Sequence, residues 1–120
     1  IKIYSASKFG VRWFSLAVAQ ELQEFNIHVS VICPDAVNTN MLDYQKDKKE
    51  AAMTFSGNKI LSVEEVSQTI LKLIQEPKVE VWLPVSRGIL ASIGALFPKL
   101  ATKIKDHLLQ KGLKKQEQYH

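Results

Sequence analysis

The chain has 120 residues, 46% hydrophobic and 23% charged, a globular composition that excludes a disordered polymer and is long enough for one domain with a real core. Its net charge of +4 is unevenly placed: residues 1–97 hold ten Lys/Arg against ten Asp/Glu, and residues 98–120 hold six Lys against two acids. A basic tail of this kind suits an acidic surface or, more simply, a solvated helix face. It carries no nucleic-acid motif and no interleaved aromatic set, so no nucleic-acid partner is expected.

Cys33 is the one cysteine and sits in an apolar run, so no intrachain disulfide is available and a reducing compartment is expected. No basic-then-apolar leader opens the sequence. The longest apolar run, Ile89 to Phe97, is broken by Ser92 and Gly94 and falls short of the ~20 residues that span a bilayer. The expected location is therefore cytoplasmic. The opening is abrupt: Ile1-Lys2-Ile3 reads as the end of a strand, with no initiator Met, and the expectation is of a fragment whose N-terminal part is not represented.

In chain order, residues 4–25 form the first predicted helix. Val11, Phe14, Ala17, Val18, Leu22 and Phe25 recur at three- and four-residue steps, and Phe9, Trp13, Leu16 and Ala19 widen the stripe beyond one face. A helix so broadly apolar is expected to be buried on two sides. Ser5 and Ser7 read as helix-start residues and Asn26 as its left-handed C-cap. Residues 27–33 are a β-branched run ended by Pro34, a predicted buried strand. The polar stretch 40–61 is long enough to be a lid, with a short helix expected within 44–53.

Ser62-Val-Glu-Glu65 is a capping box that opens a helix over 63–76, with Val66, Ile70, Leu73 and Ile74 on its apolar face. Residues 79–83 alternate as a short strand after Pro77. The strand–helix–strand unit so formed predicts a right-handed parallel crossover. Residues 86–111 return to a helical pattern, divided by Gly94 and Pro98. Leu100, Ile104 and Leu108 are expected to pack against protein rather than lipid, so membrane-surface contact of the tail is not favoured. Gly112 is expected to stop the helix, and 113–120 to fray.

Chemistry concentrates at the start. Tyr4 and Lys8 are four apart and share one helix face. A free Tyr titrates near pH ~10 and is a poor acid or base at neutrality. A neighbouring cation favours the phenolate, and a Tyr so tuned exchanges a proton with a carbonyl or alcohol oxygen. A surface helix with a solvated Lys would show the same spacing. His28, His107 and His120 have no metal-ligand spacing with Cys33 or the acids, and no metal is expected.

The surroundings carry a resemblance. Tyr4-Ser-Ala-Ser-Lys8-Phe-Gly-Val, then Leu16-Ala-Val-Ala-Gln-Glu-Leu22, Ile27-His-Val-Ser-Val-Ile-Cys-Pro34 and Val37-Asn-Thr39 resemble, in order, the short-chain dehydrogenase/reductase family with its Tyr-x-x-x-Lys signature. The resemblance implies an α/β chain, the C-terminal portion of a doubly wound parallel-sheet (Rossmann-type) fold, here a single partial domain over 1–120. It implies an NAD(P)-dependent oxidoreductase that interconverts a small-molecule carbonyl and alcohol, with NAD or NADP as cofactor. Tyr4 would move the proton, and Lys8 would also hold the nicotinamide ribose. Pro34, Val37 and Thr39 would line the nicotinamide carboxamide, and 40–61 would be the mobile substrate-binding segment. A homo-oligomer built on the first helix is implied as well.

Asp35 departs from the family's Gly at that turn, which puts cofactor geometry there in question. No Gly-x-x-x-Gly-x-Gly turn is present, and the family's catalytic Ser and Asn precede its Tyr, so the 120-residue chain alone is expected to be inactive. The contrasting reading is a non-catalytic oligomerisation or interaction domain on the same scaffold.

Overall fold

In a computed structural model, residues 2–119 are described. The chain runs as helix α1 (Lys2–Leu22), a 3-10 turn (Gln23–Phe25), strand β1 (Val31–Pro34), α2 (Asn40–Gln45), a 3-10 segment (Lys49–Ser56), α3 (Val63–Gln75), β2 (Glu80–Leu83), α4 (Val85–Leu96) and α5 (Pro98–Gln118). Strands β1 and β2 pair in parallel, Val31 opposite Glu80 through Pro34 opposite Leu83, with α3 as the crossover between them. The result is a mixed α/β unit, two parallel strands flanked by helices.

Several boundaries differ from the sequence reading, each for a physical reason. Lys2 and Ile3 are helical rather than the end of a strand, and Ile1 lies outside the described residues. An extended segment needs a ladder partner, and β1 and β2 pair only with each other among the described residues. Strand β1 starts at Val31 rather than Ile27, because its partner offers only four residues. Ser7 does not cap α1; its hydroxyl donates to the Tyr4 carbonyl at 2.7 Å inside the helix. Asn26 does take the left-handed conformation, φ 55°. The helix expected within 44–53 is divided into α2 and the 3-10 segment.

The Ser62 capping box is formed: the Ser62 hydroxyl accepts from the Glu65 amide at 3.1 Å, and the Glu65 carboxylate accepts from the Ser62 amide at 2.8 Å. That carboxylate also meets Lys59, whose hydrogen bond holds Glu65 below the usual carboxylate range.

The tightest packing lies in the 36–61 region rather than around the sheet. Ala36, Leu42 and Phe55 are buried together with Ile60 against them, and Ala51, Ala52 and Leu61 are buried nearby. Helix α5 closes this cluster. It does not stop at Gly112, nor does 113–118 fray. A helical Gly costs about 1 kcal/mol against Ala, but here the missing side chain lets α5 lie directly on the Ala52 backbone. Gln116 is buried and donates to the carbonyls of Gln45 and Lys48, both at 2.9 Å. Lys115 donates to the Gly57 carbonyl at 2.5 Å, Lys111 to Asn58 Oδ1 at 2.7 Å, and the Tyr119 ring stands 5.7 Å from that of Phe55. The buried seam of α5 is thus Gly112 and Gln116. Leu100 is exposed, and Ile104 and Leu108 are half-buried.

Helix α1 is not buried on two sides within this chain. Phe9, Trp13 and Phe14 are 61–70% exposed, and Ala19 is its one buried residue. On α3, Leu73 is buried while Ile70 and Ile74 are exposed. No helix among the described residues is long and apolar enough to cross a membrane.

Candidate functional site

A cleft of about 670 Å³ opens where the first turns of α1 approach the C-terminal end of β1. Its lining includes Tyr4, Phe9, Pro34, Val37, Thr39 and Arg87. This is the end of a parallel strand, where open α/β sheets bind ligands. Lys8 stands beside the cleft rather than in its lining, with Nζ 5.5 Å from the Tyr4 ring centroid. The structure therefore brings together Tyr4, Pro34, Val37 and Thr39, and places Lys8 against the Tyr4 ring.

Local backbone geometry explains the placement. Asp35 donates its amide to the Leu83 carbonyl at 2.7 Å, which carries the β1–β2 ladder one step past Pro34. The chain then pairs Val37 with Leu61: Asn38 N–H donates to the Leu61 carbonyl at 2.9 Å and Leu61 N–H to the Ala36 carbonyl at 2.8 Å. Those bonds fix residues 36–38 beside the cleft. Thr39 starts α2 from an extended conformation, with its hydroxyl 3.4 Å from the Val37 carbonyl.

Helix α1 is anchored to the sheet by Arg12. Its guanidinium makes a two-pronged bond to the Glu80 carboxylate, the Nη2–Oε2 arm at 3.0 Å, and stacks 5.4 Å from the Trp82 ring. The Arg12 hydrogen bond holds Glu80 below the usual carboxylate range, against the opposing effect of burial. Burial pushes the Cys33 thiol up, with the Glu80 charge adding to it. A depressed carboxylate stabilises the fold above its ordinary value of ~4.3, and that stabilisation is lost as pH falls through the lower folded value. The stability difference between wild type and Glu80→Gln, followed by thermal unfolding, is therefore expected to be about 1 kcal/mol near neutrality and to shrink in acid. The low end of the range applies because both side chains are 23% exposed. A difference that grows as pH falls would contradict this assignment.

Sequence reasoning missed how Asp35 is accommodated. Arg87, at the start of α4, lies with Nε 2.9 Å from Asp35 Oδ2 and Nη2 3.3 Å from Oδ1, and Nη2 also donates to the buried Ser56 hydroxyl at 3.1 Å. Oδ2 is buried without a well-aligned donor among the described residues, so that contact is Coulombic rather than a formed hydrogen bond. Asp35 does not sit at positive φ, so no glycine is needed there. The signal was a residue-type exchange at 35, but its partner lies 52 residues away and no local spacing announces it.

A second Tyr-x-x-x-Lys pair, Tyr44 and Lys48, also forms, with Nζ 2.5 Å from the phenol oxygen and 3.8 Å from the ring centroid. The Lys48 hydrogen bond lowers the Tyr44 phenol from its ordinary value. Tyr44 is 68% exposed and does not line the cleft, so spacing alone does not make a site. Among the described residues no group of three His, Cys, Asp or Glu side chains is placed to hold a metal ion.

The model of the short chain dehydrogenase family matches residues 1–50 of this chain, which include Tyr4, Lys8, Pro34, Val37 and Thr39. The chain is 29% identical over 96 residues to the short-chain dehydrogenase/reductase prx7 of Penicillium rubens, covering 80% of this chain and 30% of that protein. It is 36% identical over 75 residues to carbonyl reductase family member 4 of Xenopus laevis, 62% of this chain and 31% of that protein. It is 31% identical over 78 residues to dehydrogenase/reductase SDR family member 11 of Homo sapiens, 62% of this chain and 30% of that protein. The chain thus spans about a third of the length of these curated relatives. No solved structure matches it. The similarity is to short-chain dehydrogenase/reductase oxidoreductases, and the two parallel strands with flanking helices are consistent with part of their Rossmann-type fold.

Proposed function

We propose that this chain is the C-terminal, acid/base portion of an NAD(P)-dependent short-chain oxidoreductase that interconverts a carbonyl and an alcohol. The observation that carries the reading is the gathering of Tyr4, Pro34, Val37 and Thr39 around one cleft with Lys8 against the Tyr4 ring, all within the matched segment. The residues present fit the nicotinamide end of the cofactor. The cleft has the volume of an ordinary small-molecule site, and its polar lining includes the Tyr4 and Thr39 hydroxyls and the fixed backbone of 36–38. Pro34, Val37 and Thr39 would hold the carboxamide and Lys8 the ribose. When bound, the nicotinamide supplies or accepts the hydride. Tyr4 holds the proton at its phenol oxygen, gives it to the carbonyl oxygen in reduction and takes it from the alcohol in oxidation. The Lys8 ammonium stands beside the Tyr4 ring, 5.5 Å from its centroid.

The isolated chain is expected neither to bind NAD(P) tightly nor to turn over, because its sequence holds no glycine-rich turn to cradle a pyrophosphate. Micromolar NAD(P) binding in isothermal titration calorimetry would contradict that. The reading itself is tested by carbonyl-dependent oxidation of NADH or NADPH in a protein of the relatives' length that carries this chain. No oxidation with any of a panel of aldehydes and ketones would remove it.

A second reading has one observation in its favour. The bare apolar faces of Phe9, Trp13 and Phe14 on α1 suit burial against another copy of the protein, as in a homo-oligomer. An interaction domain without catalysis would use that face and be indifferent to Tyr4.

A further inference from the structure

A second cavity, of about 330 Å³, adjoins the Tyr4 cleft at the Asp35–Arg87 pair. The two share Pro34, Asp35, Met53 and Arg87 as a common wall. Away from that wall the second cavity is an open recess bordered by α4 and α5. Leu90, Ala91, Ile104, Leu108 and Trp82 give it a largely apolar lining.

Its charge is as distinctive as its lining. Asp35 and Arg87 neutralise each other in the wall. Lys105 is the remaining charged residue of the lining, is exposed, and forms no hydrogen bond or ion pair among the described residues. An apolar recess with one unpaired cation complements a molecule with an apolar chain and one negative charge. A volume of about 330 Å³ lies in the range of small-ligand sites and suits an alkyl chain of medium length.

We propose that this cavity binds a medium-chain carboxylate, its alkyl chain between α4 and α5 against Trp82 and its carboxylate on Lys105. The site goes beyond the dehydrogenase reading and does not depend on it, since neither Tyr4 nor Lys8 lines the cavity.

Trp82 gives the readout. Trp13, the other tryptophan, lines a different surface recess on α1, so Trp13→Phe leaves Trp82 as sole reporter. Decanoate, added to the 120-residue chain below its micellar concentration, is expected to change Trp82 fluorescence saturably. Lys105→Glu should weaken the binding at least tenfold, and decan-1-ol, which lacks the charge, should bind at least tenfold more weakly than decanoate. Gly94→Leu should abolish it by filling the recess. A Cβ at Gly94 meets only the Ala101 methyl, at an ordinary 3.6 Å, so the fold should accept that change and keep its helical circular dichroism. Phosphatidylglycerol vesicles form the second arm, because a lipid headgroup would offer the same anion. A saturable decanoate response lost in Lys105→Glu and Gly94→Leu supports the proposal. No saturable response, a response indifferent to either variant, or a response to vesicles but not to decanoate overturns it.

Discussion

If the proposed function holds, Tyr4→Phe is expected to lower turnover by about 10²- to 10⁴-fold in a protein of the relatives' length that carries this chain, the usual worth of a positioned acid/base group. The substitution removes one oxygen and little else. The phenyl ring still lines the cleft beside Phe9, and Lys8 still has a ring face near it at 5.5 Å from the centroid, so dinucleotide affinity should stay nearly intact. The loss should therefore fall on kcat rather than on cofactor binding. Tyr44→Phe is the matched control. It removes a phenol with the same Lys spacing and a lowered pKa, but from an exposed position outside the cleft, and turnover should not change. Ordinary turnover in Tyr4→Phe, or an equal loss in both variants, would take the acid/base role away from Tyr4.

What the sequence disclosed, and what it hid, follows from the range of the interactions involved. The capping box at Ser62, the left-handed Asn26 and the Pro98 start of α5 are each set by residues within a few positions, and each is legible in the residue order. The parallel pairing of β1 and β2 followed from two short apolar runs separated by an amphipathic helix. The gathering of Tyr4 with Pro34, Val37 and Thr39 was approached through a resemblance, because nothing in the spacing of residues 4 and 39 makes them neighbours.

Three features stayed hidden. Arg87 as the partner of Asp35 is a long-range pair with no local signature. The exposure of α1 is not legible either, since an all-round apolar helix announces burial without naming the surface that buries it. Gly112 was misread because glycine carries two meanings, a helix stop and a point of close approach, and the choice is made by a segment sixty residues earlier. The same oversight moved the expected seam of α5 to its large apolar residues, whereas a glycine and a glutamine make the closest contacts.

Gly112→Val should therefore separate the 3-10 segment 49–56 from α5 and cost about 3 kcal/mol or more. A Cβ at position 112 would overlap the Ala52 carbonyl oxygen and lie 2.8 Å from the carbonyl carbon, both backbone atoms that cannot swing aside. Either α5 or the 3-10 segment must move. Overpacking of this kind costs about 1–3 kcal/mol. The displacement also withdraws Gln116 from the Gln45 and Lys48 carbonyls, and a buried polar group left without its partner costs about 1–3 kcal/mol. Gly112→Ala is the discriminating companion. Helix propensity favours Ala over Gly by about 1 kcal/mol, so an open site would gain stability, while the close approach to Ala52 demands a loss. Urea unfolding followed by circular dichroism measures the sign. Native-state hydrogen exchange at the amides of 51–56 should show the protection there falling first in both variants. A Gly112→Ala chain more stable than wild type would mean that α5 does not lie on the Ala52 backbone, and that the 3-10 segment 49–56 is held by something other than α5.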